Sequence, residues 1–209
     1  MAIVKEVSRF SYCLGRQIRA LAGFSGERAC DRRLKKLIDA GYLERKHVLY
    51  GLPRFYFLGK KAKILTPIKY YSPRIKLGEV YHDLAVVDTV IFFTQELKIP
   101  LDDIRSEREL HSMDGFGVRK HCPDFIFFKN DKKYCVEVEL SLKSKGRLLE
   151  NIKENFTNYD GQFYIVPKGE HKIRKIIEES SITKIKIIDL ENTEKMVKAR
   201  PHDSEQENI

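Results

Sequence analysis

Apolar and polar positions change their period several times along the chain, and each change marks an element. Leu14, Ile18 and Leu21 recur at helical spacing and predict a helix over residues 14–22. Gly23-Phe24 breaks it, and Ser25 is placed to cap a second helix from about Gly26 to Asp39. That helix turns Cys30, Leu34, Leu37 and Ile38 inward and ends at Gly41, a residue suited to a left-handed cap. Two runs of strand character follow, residues 42–48 and 54–58, joined by the turn Tyr50-Gly51-Leu52-Pro53. The connector over residues 59–78 carries Pro67 and Pro73, and its stretch 67–73 reads as extended. A stripe of Val80, Leu84, Val87, Val90 and Leu97 predicts a helix from about Leu77 to Leu97, stopped by Pro100. Next come a strand over 103–110 and a Gly-containing loop, 113–117. After a hairpin, described below, the pattern gives a helix over 146–156, a strand over 162–167, a helix over 171–180 and a strand over 185–190. The polar tail from residue 193 is expected to be disordered.

The hairpin spans residues 123–144. Pro123-Asp124-Phe125-Ile126-Phe127-Phe128 leads into Asn130 and Asp131, which suit a tight turn, and the return run begins at Tyr134. Val136, Val138 and Leu140 alternate with Glu137, Glu139 and Ser141, so on a strand both glutamates point the same way. Asp124, at the start of the partner strand, is expected beside them. Carboxylates gathered on an apolar hairpin repel one another, and a divalent cation relieves that repulsion; hard oxygen ligands suit Mg²⁺. The other reading of Glu137 and Glu139 is the wet face of an edge hairpin.

Composition sharpens this division. Of 209 residues, 42% are hydrophobic and 33% charged, as in a globular protein with a highly charged surface. No apolar run is long enough to span a membrane, and charges interrupt the N-terminal residues where a signal peptide has its apolar core, so a cytoplasmic location is expected. The net charge of +9 is uneven: residues 1–80 hold 18 Lys/Arg against 6 Asp/Glu, and the remainder 21 against 24. Two modules with different partners are implied, the basic one suited to phosphates. Cys13, Cys30, Cys122 and Cys135 form no CxxC pair; Cys30 and Cys135 fall in apolar segments and read as buried thiols.

The order helix, helix, hairpin in the basic module is that of a winged helix-turn-helix, whose second helix enters the major groove of duplex DNA. Leu34-Lys35-Lys36-Leu37-Ile38-Asp39-Ala40-Gly41-Tyr42-Leu43-Glu44-Arg45 resembles the junction of bacterial winged-helix proteins. Candidate DNA contacts are Arg28, Arg32, Arg33, Lys35, Lys36, Lys46 and Arg54, against the plainer reading of a solvated helix face. Pro123-Asp124 followed by Glu137-Val138-Glu139 resembles the PD-(D/E)xK nuclease fold, with Glu139 where that family usually has Lys. The combination of a winged helix with His82-Asp83-Leu84, Ser106-Glu107-Arg108-Glu109-Leu110, Pro123-Asp124 and Val136-Glu137-Val138-Glu139-Leu140-Ser141 resembles the replication-relaxation family of plasmids and conjugative elements.

The expected fold is therefore α+β or α/β. A winged helix-turn-helix fills residues 1–72, a PD-(D/E)xK-like mixed sheet flanked by helices 73–192, and a tail 193–209. The resemblance implies a DNA-binding accessory of replication or transfer at an origin, with double-stranded DNA, a relaxase or replication proteins as partners. It also implies an alternative, a Mg²⁺-dependent endonuclease or nickase. There Asp124 and Glu137 hold the metal, Glu139 is a third ligand or the base for water, and Lys143 steadies phosphate charge. A third alternative is a transcriptional regulator that forms a homodimer through its C-terminal half. His82 and Asp83 are placed to hydrogen-bond to the carboxylate cluster or, the preferred reading, to cap or pair locally, and neither is given a catalytic role. Glu109 or Glu96 is a candidate outer carboxylate.

Overall fold

Helical and alternating periods separate cleanly in space as well as in sequence. The computed structural model describes residues 2–66, 75–113 and 121–193, and in these the chain is a mixed α+β protein with two sheets. The first half holds α1 (Ala2–Arg9), β1 (Cys13–Leu14), α2 (Gly15–Leu21), α3 (Glu27–Asp39), β2 (Leu43–Lys46) and β3 (Phe55–Leu58), with an antiparallel sheet in the order β1-β3-β2. The second half holds α4 (Val80–Gln95), β4 (Ile104–Ser106), α5 (Glu107–Met113), β5 (Phe125–Lys129), β6 (Lys132–Val138), α6 (Lys145–Asn158), β7 (Gly161–Val166), α7 (His171–Glu179) and β8 (Ile185–Asp189). Its sheet runs β4-β5-β6-β7-β8. The first three strands are antiparallel; β6, β7 and β8 are parallel, with α6 and α7 as the crossovers.

The two faces of the larger sheet are separately covered. Phe125, Phe127, Val136, Val138 and Ile165 pack toward α4, where the Phe93 ring sits edge-on to Phe125 and Phe127 at 5.4 and 5.3 Å. Tyr164 and Val166 pack on the other side with Leu148, Ile152, Ile173 and Ile176 of α6 and α7. Helix α4 is apolar nearly all round, with Val80, Leu84, Ala85, Val86, Val87, Val90, Ile91 and Phe93 buried. A helix of that kind needs cover on every side: the sheet supplies one flank and the N-terminal half the other. One continuous apolar cluster accordingly runs from Ile3 and Val7 through Ile18 and Val87 to Phe125 and Ile165.

Polar contacts fix the same junction. Arg16 makes a two-pronged ion pair with Asp88 at 2.7 and 2.8 Å, and Gln17 Nε2 donates to Asp88 at 2.7 Å. The buried Arg9 guanidinium donates to the carbonyls of Leu101 and Ile104 and lies 3.2 Å from Glu6 and 3.8 Å from Glu109. Ser106 Oγ donates back to the Arg9 carbonyl at 2.7 Å.

Several expectations are corrected. Helix α1 was not foreseen; Ile3, Val4 and Val7 form its buried stripe. Gly26, not Ser25, is the cap residue of α3, without a side-chain hydrogen bond. The strand expected over 103–110 stops at Ser106. There Glu109 accepts from the Ser106 N–H at 2.9 Å and its own N–H donates to Ser106 Oγ at 3.3 Å. This reciprocal capping box starts α5 and ends the strand. The strand after the hairpin turn stops at Val138, well short of Ser144. The expected tail includes Thr193, which is buried and donates to the Leu190 carbonyl. The extended stretch 67–73 falls outside the described residues, as do the proposed boundary near residue 72, the loop beyond Met113 and residues 194–209.

Candidate functional site: a carboxylate cleft beside the junction

The turn between β5 and β6 sets the geometry of the site. Asn130 and Asp131 both have positive φ (51° and 59°), as a two-residue hairpin of right-handed twist requires. That turn pairs Phe125 with Val136, so Asp124 and Glu137 come opposite one another where the ladder ends. Asp124 Oδ2 accepts from the Val138 N–H at 2.7 Å, and its Oδ1 stands 3.4 Å from His82 Nε2 on the first turn of α4. Burial works against charge on His82, but hydrogen bonds to Asp124 and Asp83 outweigh it and push its pKa up to about 10. His82 is therefore a cation at neutral pH.

Glu137 lies on the α6 side of the sheet and is buried. Its Oε1 meets His121 Nε2 at 2.7 Å and accepts from Asn155 Nδ2 at 2.8 Å. Burial pushes Glu137 up to about 7, against the lowering effect of His121. For His121 burial opposes the charge, yet the Glu137 hydrogen bond prevails and its pKa is raised. Glu139 follows the strand end, its N–H donating to the Ile165 carbonyl at 2.9 Å. Burial and repulsion from Asp124 raise its pKa, while His82, Lys143 and Arg147 oppose the rise. Glu107, at the start of α5, is raised by burial and by Asp124 in the same way.

His82, Glu107, His121, Asp124, Glu137 and Glu139 line one cleft of about 450 Å³. Its carboxylates are Glu79, Asp83, Glu107, Asp124, Glu137 and Glu139; Lys76, Arg108, Lys143 and Arg147 also border it, and Arg9, Phe10, Ser11 and Tyr12 form the wall contributed by the N-terminal half. All four residues expected from the sequence for the metal and catalytic roles (Asp124, Glu137, Glu139, Lys143) therefore face a common space. Lys143 does so from the segment between β6 and α6 rather than by strand parity, which fails because the strand has ended. Glu109 faces away, toward Ser106 and Arg9, and Glu96 ends α4 without lining the cleft. Glu107 takes the position expected of Glu109.

His82 meets both partners weighed for it, Asp83 at 3.7 Å as the local pair and Asp124 in the carboxylate cluster. His121 and Asn155 carry no motif. Asn155 does leave one trace: it falls at the third position of the stripe Leu148, Ile152, Asn155, a polar residue where the period calls for an apolar one. Oxygen donors of this kind suit a hard cation. Among the described residues, however, no three His, Cys, Asp or Glu side chains stand close enough together to hold a metal ion as they are.

None of the residues expected to contact DNA lines the cleft. Arg28, Arg32, Arg33, Lys35 and Lys36 are exposed on α3, and Lys46 and Arg54 are exposed at the hairpin of β2 and β3. Lys46 is held by Glu44 at 2.7 Å and lies 5.6 Å above the Phe57 ring. Among the described residues no helix is long and apolar enough to cross a membrane. Comparison with protein-family models, with curated proteins and with solved structures found no match.

Proposed function

We propose that this chain docks on duplex DNA through a winged helix-turn-helix made of α2, α3 and the β2–β3 hairpin, as an accessory to replication or transfer at a plasmid or conjugative-element origin. The observation that carries the reading is the division of faces in the first half. Helix α2 is committed to α4 through Arg16 and Gln17, whereas α3 buries Cys30, Leu34 and Leu37 and leaves five cations in solvent. A helix held from behind with a basic outer face fits a major groove, and Lys46 and Arg54 on the hairpin fit the flanking phosphates. The origin role itself rests on the family resemblance. The test is fluorescence anisotropy with random-sequence duplexes over a salt series. Arg32→Ala and Lys36→Ala are each expected to weaken binding and to flatten the slope by about 0.9 if a phosphate contact is lost. Unchanged affinity in both variants would remove α3 from the interface.

A second reading is a PD-(D/E)xK-like centre that nicks DNA. It is favoured by the convergence of Asp124, Glu137, Glu139 and Lys143 on one cleft. Asp124, Glu137 and Glu139 would hold Mg²⁺, which polarises a phosphodiester and activates water when bound. Lys143 and Arg147 are placed to meet phosphate charge. The ion would have to draw Asp124 and Glu137 from their histidine partners, which is why the non-catalytic role stands first. Supercoiled plasmid with Mg²⁺ or Mn²⁺ decides between them: nicking abolished by Asp124→Ala and Glu137→Ala supports the enzyme, and equal nicking by the variants marks contamination.

A further inference from the structure

Three residues of the cleft form a constellation of another kind. The β4–β5 register pairs Ser106 with Phe125, and the next N–H, that of Glu107, donates to the Asp124 carbonyl at 2.9 Å. This bond seats the first turn of α5 beside residues 122–124. Glu107 and His111 lie one turn apart on that helix, so they share a face. The Cys122 thiol meets His111 Nδ1 at 3.8 Å, and His111 Nε2 stands 3.3 Å from Glu107 Oε1. All three residues line the cleft, and His111 and Glu107 keep about half of their side chains in solvent. The other cysteines differ. Cys13, Cys30 and Cys135 are buried, and burial pushes each thiol up, Cys30 to about 11.

We propose that Cys122 is a nucleophilic thiol, with His111 as its base and Glu107 as the positioning residue, and that it is a site of reversible oxidation by hydrogen peroxide. A thiol, a base within reach and a third group that orients the base form the arrangement that activates sulfur for attack. Glu107 accepts from His111 Nε2–H, which leaves Nδ1 as the acceptor facing the thiol. In the reaction Nδ1 takes the thiol proton and the sulfur attacks one peroxide oxygen. An S–O bond forms, the O–O bond breaks, and the departing hydroxide takes the proton from the imidazolium to become water. Sulfur is oxidised by two electrons, the peroxide is reduced by two, and Cys122 becomes a sulfenic acid. A small thiol then condenses with it, giving a mixed disulfide and a second water. The buried Cys13, Cys30 and Cys135 do not compete for that step. The site needs neither DNA nor a metal ion, so it stands apart from both readings above.

The test uses the full chain in a chelating buffer at neutral pH, with hydrogen peroxide as oxidant and dimedone, which caps sulfenic acids, as the trap. Peptide mass spectrometry reads the rate of labelling at each cysteine. Cys122 is expected to be labelled ahead of Cys13, Cys30 and Cys135. Glutathione in place of dimedone should leave a mixed disulfide on Cys122 that dithiothreitol removes. His111→Gln should slow labelling about tenfold or more. Glu107→Gln should slow it less, and the His111 ring-nitrogen resonances should pass from the Nε2–H tautomer to a mixture, which a purely structural role for Glu107 would not move. The buried cysteines report the fold, because a variant that unfolds exposes them and gains label instead of losing it. Equal rates in His111→Gln and the unaltered protein overturn the inference. So does labelling of Cys13, Cys30 or Cys135 ahead of Cys122, or no label on Cys122 at all. An unchanged His111 tautomer in Glu107→Gln overturns the part given to Glu107.

Discussion

Asp88→Ala tests how firmly the two halves are joined. Asp88 is 4% exposed and accepts three hydrogen bonds, two from Arg16 and one from Gln17. Removing it leaves a guanidinium and an amide N–H facing an apolar wall. Breaking a buried ion pair from one side costs roughly 3–5 kcal/mol, and because Arg16 keeps 28% of its side chain in water the low end applies, about 3 kcal/mol. For a chain of this length that corresponds to a fall in melting temperature of about 6–12 °C. The assay is urea and thermal unfolding followed by circular dichroism and tyrosine fluorescence, the chain having no Trp. Arg16→Ala in the same background should add much less than it does alone, since its partner is already gone. Asp88→Asn, which keeps an acceptor for Gln17, should fall between. A loss below about 1 kcal/mol for Asp88→Ala, against the buried-pair expectation, would refute the clamp. So would unfolding of the unaltered protein in two separate transitions, because the shared apolar cluster requires one.

Three further outcomes follow from local geometry. A Cβ at Gly59 would stand 2.3 Å from the Gly41 carbonyl oxygen, so Gly59→Ala should destabilise by about 1–3 kcal/mol in denaturant titration, and a neutral result would mean the loop yields freely. Because the folded state raises the Glu137 pKa from 4.5 to about 7, it holds a proton that the unfolded chain releases across that window. Stability should therefore fall as pH rises from 4.5 to 7, and Glu137→Gln should flatten that fall when unfolding is measured at each pH. Asp131, at φ 59° in the hairpin turn, should accept Gly with a gain of up to about 1 kcal/mol in melting experiments, whereas Asp131→Val should lose stability.

Much of the fold was legible because periodicity reports burial. Helices α2, α3, α6 and α7 and strands β5, β7 and β8 fall within a few residues of the stripes that predict them. The carboxylate cluster was legible too, since a tight turn and a period of two fix which residues come opposite. What escaped did so for physical reasons. The stripe on α4 understates its burial, because a helix covered on two flanks loses the amphipathic contrast that periodicity detects. The strand read over 103–110 ignored Ser106 and Glu109, whose spacing is that of a capping box. His121 reaches Glu137 from sixteen residues away in a segment without regular structure, where no period exists to read. For His82 both the cluster and its neighbours were open, and the neighbours were preferred because Asp124 is 42 residues distant in sequence.

The docking of α1 also sets an order of events during synthesis. Its Arg9 finds its carbonyl partners at Leu101 and Ile104, and its backbone is gripped by Ser106, over 90 residues later. When the first half leaves the ribosome, the apolar stripe of Ile3, Val4 and Val7 still lacks that part of its cover. Emergence of the first half is thus separated from completion of its packing, and for that interval the stripe is a surface for chaperones or for premature association. A chain ending before β4 would leave α1 without the Leu101, Ile104 and Ser106 partners of Arg9.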